Sequence, residues 1–387
     1  MSRGGRIVAG LFLAAFGVAL AAGVMEVGVR VMHLVPTRFW QPDPLLGTRL
    51  IPGKEGWWTQ EEHEFRVPVR INSLGCHDIE HSIKKPDGSR RVLLLGDSHV
   101  EALQVPLQDS IGRQLERRLR SDGANDEVVS AGVSGYGTAS ELLYFRERGW
   151  QYSPDLVLLA FYPGNDVKNN GPALEKSLRP EYAADGSLLR VHGGKPRVRD
   201  RSLLGRSQAY AFWRKLILTR QPALAGFLVR VGLVKKAAIR AADTREGVPL
   251  DYWVYADPVP PEWQDAWRHT ERNLDDLRDA VAARGARFAV VIVTARDRVY
   301  RDSWETLREL YPRLQKGKWD LEAPDRRVLA WCESRAVPCL QLYPAFAERA
   351  AASEERLHYV YDGHWTSAGH ALAAKLTAQF ILRESLL

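Results

Sequence analysis

Short apolar runs at residues 91–95, 127–131, 155–161 and 287–294, with a shorter one near 337–342, alternate with stretches of helical periodicity at about 107–121, 138–149, 262–284, 324–335 and 366–383. Runs that are apolar throughout suit strands buried on both faces, and the helical stretches between them are long enough to serve as crossovers between parallel strands. The expected fold class is therefore α/β, a three-layer α/β/α sandwich around a mainly parallel sheet. In open sheets of this kind sites gather at the C-terminal ends of the strands. The residues at those ends therefore bear most directly on function.

The first run leads into Leu93-Leu-Leu-Gly-Asp-Ser98-His-Val. A buried strand ending in a sharp turn holds a serine hydroxyl above the sheet edge, and the helix that follows aims backbone N–H groups at the same place. By itself Gly-Asp-Ser is ordinary turn chemistry. Three later blocks change its meaning. Val128-Val-Ser-Ala-Gly-Val-Ser-Gly135-Tyr-Gly and Leu156-Val-Leu-Leu-Ala-Phe-Tyr-Pro-Gly-Asn165-Asp166 also break where strand gives way to loop. Tyr361-Asp362-Gly-His364-Trp stands just before the last helical stretch.

The ordered set Ser, Gly, Asn and Asp-x-His resembles the SGNH subgroup of the GDSL hydrolase family, over about Arg91 to Asn170 and again from about Trp263 to Leu387. That resemblance implies an SGNH, flavodoxin-like core and a role for each matching residue. Ser98 would be the nucleophile. The oxyanion hole would consist of the N–H groups of Ser98 and Gly135 and the side-chain amide of Asn165. His364 would take the serine proton and return it to the leaving alcohol, with Asp362 orienting the imidazole and stabilising its charged form. Asp362 and His364 are two apart, where many members set them three apart; an Asp-x-His-Trp version occurs in relatives that act on bacterial polysaccharides.

Other residues compete for these roles. Asp97 reads as the residue that orders the turn, and His99 should point away from its neighbour Ser98. His370, at the start of the last helix, is the main rival to His364, and the nearby Asp362 favours His364. Asp166 reads as an acceptor for loop N–H groups, and Tyr136 as a pocket wall or a half-buried residue. His81, His192 and His269 are scattered and read as surface or packing residues.

Arg3 and Arg6 precede Ile7–Met25, an uncharged stretch of about 19 residues that ends at Glu26, long enough to cross a bilayer. The preceding positive charge predicts an N-terminus inside and a catalytic bulk outside the cytoplasm, tethered to the periplasmic side of a bacterial inner membrane. Ala19-Leu-Ala21 leaves open a cleaved signal sequence and secretion. A net charge of +7 without a reading module gives no nucleic-acid partner, although affinity for polyanions or anionic membranes stays open. At 45% hydrophobic and 26% charged residues the chain is globular. Cys332 and Cys339, seven apart around Pro338, could bridge if their elements converge; Cys76 stands alone. Neither a metal nor an organic cofactor is implied.

The chain divides into a membrane anchor or signal sequence at 1–26, a lead-in with an edge hairpin at 27–90, a core at 91–170 and 262–387, and an insertion at 171–261. In the lead-in, Pro42–Gly47 reads as turns and Glu64–Ile71 as an edge strand marked by Pro68. The insertion leaves the core just after Asn165. It reads as a lid or substrate-selecting element, or else as a helix pair resting on a membrane through its basic and apolar faces. The expected activity is ester hydrolysis through a covalent acyl-enzyme, on O-acyl esters of cell-envelope or exported carbohydrate or lipid. Polysaccharide O-acetyl transfer, with a membrane-bound acyl-donor partner, is the enzymatic alternative. A membrane-tethered envelope scaffold is the non-enzymatic one.

Overall fold

A computed structural model describes the chain except for residues 1–2, 33, 36, 61–63, 121–124, 176–178, 183–187, 193–206 and 221–243. It divides into two compact units, Met1–Thr37 with Arg197–Ala242, and Arg38–Pro196 with Asp243–Leu387.

The larger unit is built on five strands: β1 (Arg91–Gly96), β2 (Glu127–Gly132), β3 (Leu156–Phe161), β4 (Arg287–Ile292) and β5 (Cys339–Gln341). They form one parallel sheet in the order β5-β4-β3-β1-β2. Side chains alternate between its faces, as strand geometry requires. Leu93, Leu95, Val157 and Leu159 enter a core shared with α2 (Thr138–Glu147) and α3 (Pro261–Ala282), where Trp263 and Trp267 are buried. Val92, Leu94, Leu156 and Leu158 enter the opposite core with α1 (Ile111–Leu119) and α5 (Ser367–Arg383). The third helix on the tryptophan side is α4 (Ala323–Ser334). This is the expected α/β/α sandwich, and every anticipated strand and helix of the core is present within a few residues.

Three local details differ. The stretch 107–121 divides at Ser110, whose side chain caps α1 after a 3₁₀ turn at Leu107–Asp109. Pro42–Gly47 is the end of a hairpin, Trp40–Asp43 paired with Gly47–Leu50, rather than turns alone. Asp43 Oδ1 accepts the N–H groups of Leu45 and Leu46 and so closes that hairpin, an Asx turn. Helices at Arg301–Leu310 and Tyr343–Ala352 went unread, the second because alanine-rich sequence shows little periodicity. The edge hairpin is present, Glu55–Thr59 paired with Arg66–Arg70, with Pro68 opposite Trp57.

The smaller unit contains the helix Arg3–Val31, the one helix among the described residues long and apolar enough to cross a membrane. A second helix, Gln208–Arg220, packs on it. Glu26, where the apolar stretch ends, accepts hydrogen bonds from Ser207 Oγ at 2.7 Å and from the N–H groups of Gln208 and Ala209 at 2.9 Å each, capping that second helix. In the middle of the insertion, residues 193–206 and 221–243 lie outside the described residues. The final part of the insertion, by contrast, belongs to the larger unit: a small hairpin at Thr244–Arg245 and Val248–Pro249, then a 3₁₀ helix at Leu250–Tyr255.

Candidate active site

Ser98 opens a short helix, Ser98–Glu101, directly after β1. At the first helical position its N–H has no intrahelical acceptor. Asp97 caps this helix by accepting the N–H of His99 at 2.9 Å. The helix lies tight against the end of β2: a Cβ on Gly132 would come within 2.3 Å of the Glu101 nitrogen. Gly135 follows in the next loop with φ +76°, a left-handed conformation that favours glycine, and its N–H has no acceptor among the described residues.

Asp362 and His364 sit in a closed loop. An isolated bridge joins His358 to Trp365, and the Tyr359 N–H donates to the His364 carbonyl at 2.9 Å. Trp365 is fully buried and packs near Phe346, His370 and His99, which anchors the loop in the core. His364 Nε2 lies 2.8 Å from Ser98 Oγ, and its Nδ1 lies 2.6 Å from Asp362 Oδ1. Residues 266 positions apart thus meet in a hydrogen-bonded relay. Burial draws the imidazole pKa down, but the hydrogen bond and charge of Asp362 outweigh it, so His364 ends above the ordinary histidine value. Asp362, opposed by burial and favoured by His364, stays below the usual carboxylate range.

Asn165 is the residue before the helix Asp166–Asn170, just beyond β3, and its side chain makes no capping hydrogen bond to that helix. One N–H of its amide donates to Asp97 Oδ2 at 3.0 Å, which leaves the second for another acceptor. Asp97 is fully buried; burial opposes its ionisation and interaction with His99 outweighs it, holding the carboxyl low. The structure thus gathers Ser98, His364 and Asp362 directly and ties Asn165 to the residue before the serine. Gly135 stands in the adjoining loop.

The competing residues separate cleanly. His99 is buried, 3.3 Å from Asp97 through Nδ1, and its ring packs on Tyr162, His364 and Trp365. Burial holds it below the ordinary histidine value. His370 is buried against Trp365 and likewise depressed by burial. Asp166 does accept a loop N–H, that of Tyr162 at 2.8 Å. Tyr136 is neither a pocket wall nor half-buried: it is fully buried and donates to the Thr48 carbonyl at 2.8 Å, because the lead-in hairpin covers it. His81 is buried on Asp78 and His269 is half-buried; no side-chain placement is described for His192. Cys332 and Cys339 are free thiols, as is Cys76.

Two residues that support the site were missed. Glu64 accepts the backbone N–H groups of Val360, Tyr361 and Asp362 at 2.5–3.0 Å, so one lead-in carboxylate holds the loop that carries His364. No local signal marks it, since its partners lie almost 300 residues away. Glu101 is buried and pushed up to about 7 by that burial, and it accepts hydrogen bonds from Trp40 Nε1 and from Ser134, next to Gly135. Its place one turn after Ser98 was the available clue.

Three of these blocks stand at strand ends of the α/β/α sandwich, the arrangement expected of an SGNH hydrolase-like fold. Residues 250–387 match the family model described as SGNH hydrolase-like domain, acetyltransferase AlgX, and of the four blocks the one with Asp362 and His364 lies in that span. Among solved structures it is similar to a catalytic mutant of an acetylxylan esterase from Geobacillus stearothermophilus, at 11% identity over 76% of this chain and 94% of that one, with TM-score 0.40. It is also similar to a GDSL-like lipase from Bacteroides thetaiotaomicron (14% identity, 76% and 89% covered, TM-score 0.35) and to TesA (13% identity, 77% and 100% covered, TM-score 0.38). No curated protein matches the chain.

Proposed function

We propose that the protein is a serine esterase that cleaves O-acyl esters through a covalent acyl-enzyme. The observation that carries this reading is the relay from Asp362 through His364 to Ser98 Oγ, with both hydrogen bonds at 2.8 Å or less. In the first step His364 Nε2 takes the serine proton as Oγ bonds to the acyl carbon. The C–O bond to the alcohol then breaks, and the imidazolium returns its proton to the departing oxygen. Water repeats the sequence in reverse to release the carboxylic acid. The N–H groups of Ser98 and Gly135 and the free N–H of Asn165 are the donors for the oxyanion, each worth about 2.7–4 kcal/mol in such sites.

A second reading replaces water by a sugar hydroxyl, which makes the protein an O-acyltransferase. The match of residues 250–387 to a domain described by an acetyltransferase favours it. In either case the helix at Arg3–Val31 would anchor the protein in a membrane with the catalytic unit outside the cytoplasm, acting on envelope or exported esters. Labelling with a fluorophosphonate probe, mapped by mass spectrometry, tests the acyl-transfer reading. An adduct at Ser98 that is lost in His364→Ala and kept in His370→Ala is expected; a folded protein that takes no label at Ser98 overturns it.

A further inference from the structure

Separated from the relay by the ring of His99 lies a cavity of about 110 Å³ whose lining includes Tyr162, Tyr252, Tyr255, Asp297, Arg298 and Trp304. By the measure of one probe sphere per water this is room for several waters, and so for a ring-sized polar ligand. Aromatic contacts link it to the site. The Tyr162 ring lies 4.6 Å from His99, and His99 lies 5.0 Å from His364. Gly164, also in the wall, precedes Asn165. The exit of β4 supplies Asp297 and Arg298, and the intervening Arg296 donates to the Val360 carbonyl in the loop that carries His364. The remaining wall, Asp251, Tyr252 and Tyr255, comes from the end of the insertion.

We infer that this cavity is a subsite for one neutral sugar ring of the ester substrate. The inference rests on the acyl-transfer reading and specifies which substrate that site accepts. Three features of the wall point to it. First, it is aromatic: Tyr162, Tyr252, Tyr255 and Trp304 line it, and the Trp304 and Tyr252 rings pack 6.3 Å apart at 52°, the kind of wall that suits the C–H side of a pyranose. Second, it holds uncommitted donors. The hydroxyls of Tyr162 and Tyr255 and the Trp304 indole, all in residues that line the cavity, make no hydrogen bond among the described residues. Burial raises both phenols, so they remain protonated donors. A fatty acyl chain would leave all of these unsatisfied, at about 1–3 kcal/mol for each buried group.

Third, the charges are paired. Asp297 is held by Arg296 at 2.7 Å, Asp251 by Lys168 at 2.5 Å, and Arg298 by Asp325. With each charge neutralised locally, the cavity has no unpaired cation for a uronate carboxylate. Tyr252 donates to Asp297 at 2.9 Å and fixes that carboxylate as an acceptor for sugar hydroxyls.

The test is calorimetric titration of the full-length Ser98→Ala protein in detergent micelles with partially O-acetylated cello-oligosaccharides. Trp304→Ala in that background is expected to weaken binding about tenfold, and Trp304→Phe, which keeps a ring in place, much less. Oligogalacturonate of the same length is expected to bind more weakly than the neutral oligomer. Equal affinity for the Trp304→Ala protein and its parent, tighter binding of the uronate, or no binding of the neutral oligomer to the folded protein overturns the subsite. Fluorophosphonate labelling of the wild type separates the two claims. Labelled Ser98 with Trp304-independent binding removes the subsite alone. Unlabelled Ser98 with Trp304-dependent binding supports the sugar site and removes the acyl-transfer reading.

Discussion

Ser98 and His364, the proposed nucleophile and base, are supported in opposite ways. Around Ser98 the supports include sequence neighbours: Asp97 caps the helix, and Glu101, on that helix, reaches across to Ser134 and Trp40. Around His364 the supports are remote. Glu64 from the lead-in holds three N–H groups of the loop, Arg296 from the exit of β4 holds a carbonyl, and Trp365 anchors the loop in the core. Ser98 is thus fixed largely by the end of a strand, and His364 by long-range contacts that exist only once the domain is folded. The first arrangement resists local change; the second can loosen without unfolding.

Substitutions test that contrast. The largest effect belongs to Ser98→Ala, which should lower turnover of an activated acetyl ester by about 10⁶, since the members of such a relay act as a unit. Asp362→Asn should cost about 10⁴ by leaving His364 without its orienting acceptor, measured as kcat on the same ester. Asn165→Ala should reduce kcat by about 10²–10³ through loss of one oxyanion donor. Equal losses in Asp362→Asn and Asn165→Ala would remove the special role given to the imidazole.

Smaller effects bear on the supports. Glu64→Gln should lower kcat by about tenfold with little change in melting temperature, because a displaced base costs rate rather than fold. Gly132→Ala should lower stability as well as rate. Its new Cβ meets backbone of the nucleophile helix, and the expected cost is about 1–3 kcal/mol of stability, read from denaturant unfolding. If Glu64→Gln destabilised the fold as much as Gly132→Ala, the contrast between the two sides would fail.

The pH profile offers the finest test. The proposed reaction needs neutral His364, and Asp362 raises its pKa above the ordinary value of about 6.5. Labelling rate should therefore rise with pH through a midpoint above that value. Asp362→Asn should move the midpoint down, toward lower pH, and Glu64→Gln should leave it nearly in place. A midpoint below the ordinary value in the wild type would contradict the charge assigned to Asp362.

Much of the catalytic end of the sheet was legible because its signals are local. Gly-Asp-Ser after an apolar run, glycines after the second, Asn165 after the third and Asp-x-His before the last helix each sit in a context that a few neighbouring residues define. The choice of His364 over His370 rested on the nearby Asp362, and the structure places His364 against Ser98 while His370 packs behind Trp365. Tyr136 was less legible, because its burial is decided by a hairpin about 90 residues earlier.

The sequence by itself determined the strand and helix alternation, the four blocks and the apolar helix near the N-terminus, since backbone periodicity and turn chemistry act over a few residues. Only the tertiary structure decided what holds the loop of His364, what buries Tyr136, and how the end of the insertion joins the exit of β4 to wall a cavity separated from the relay by His99. Those arrangements depend on hydrogen bonds and packing between residues tens to hundreds of positions apart, and no local pattern encodes such pairings.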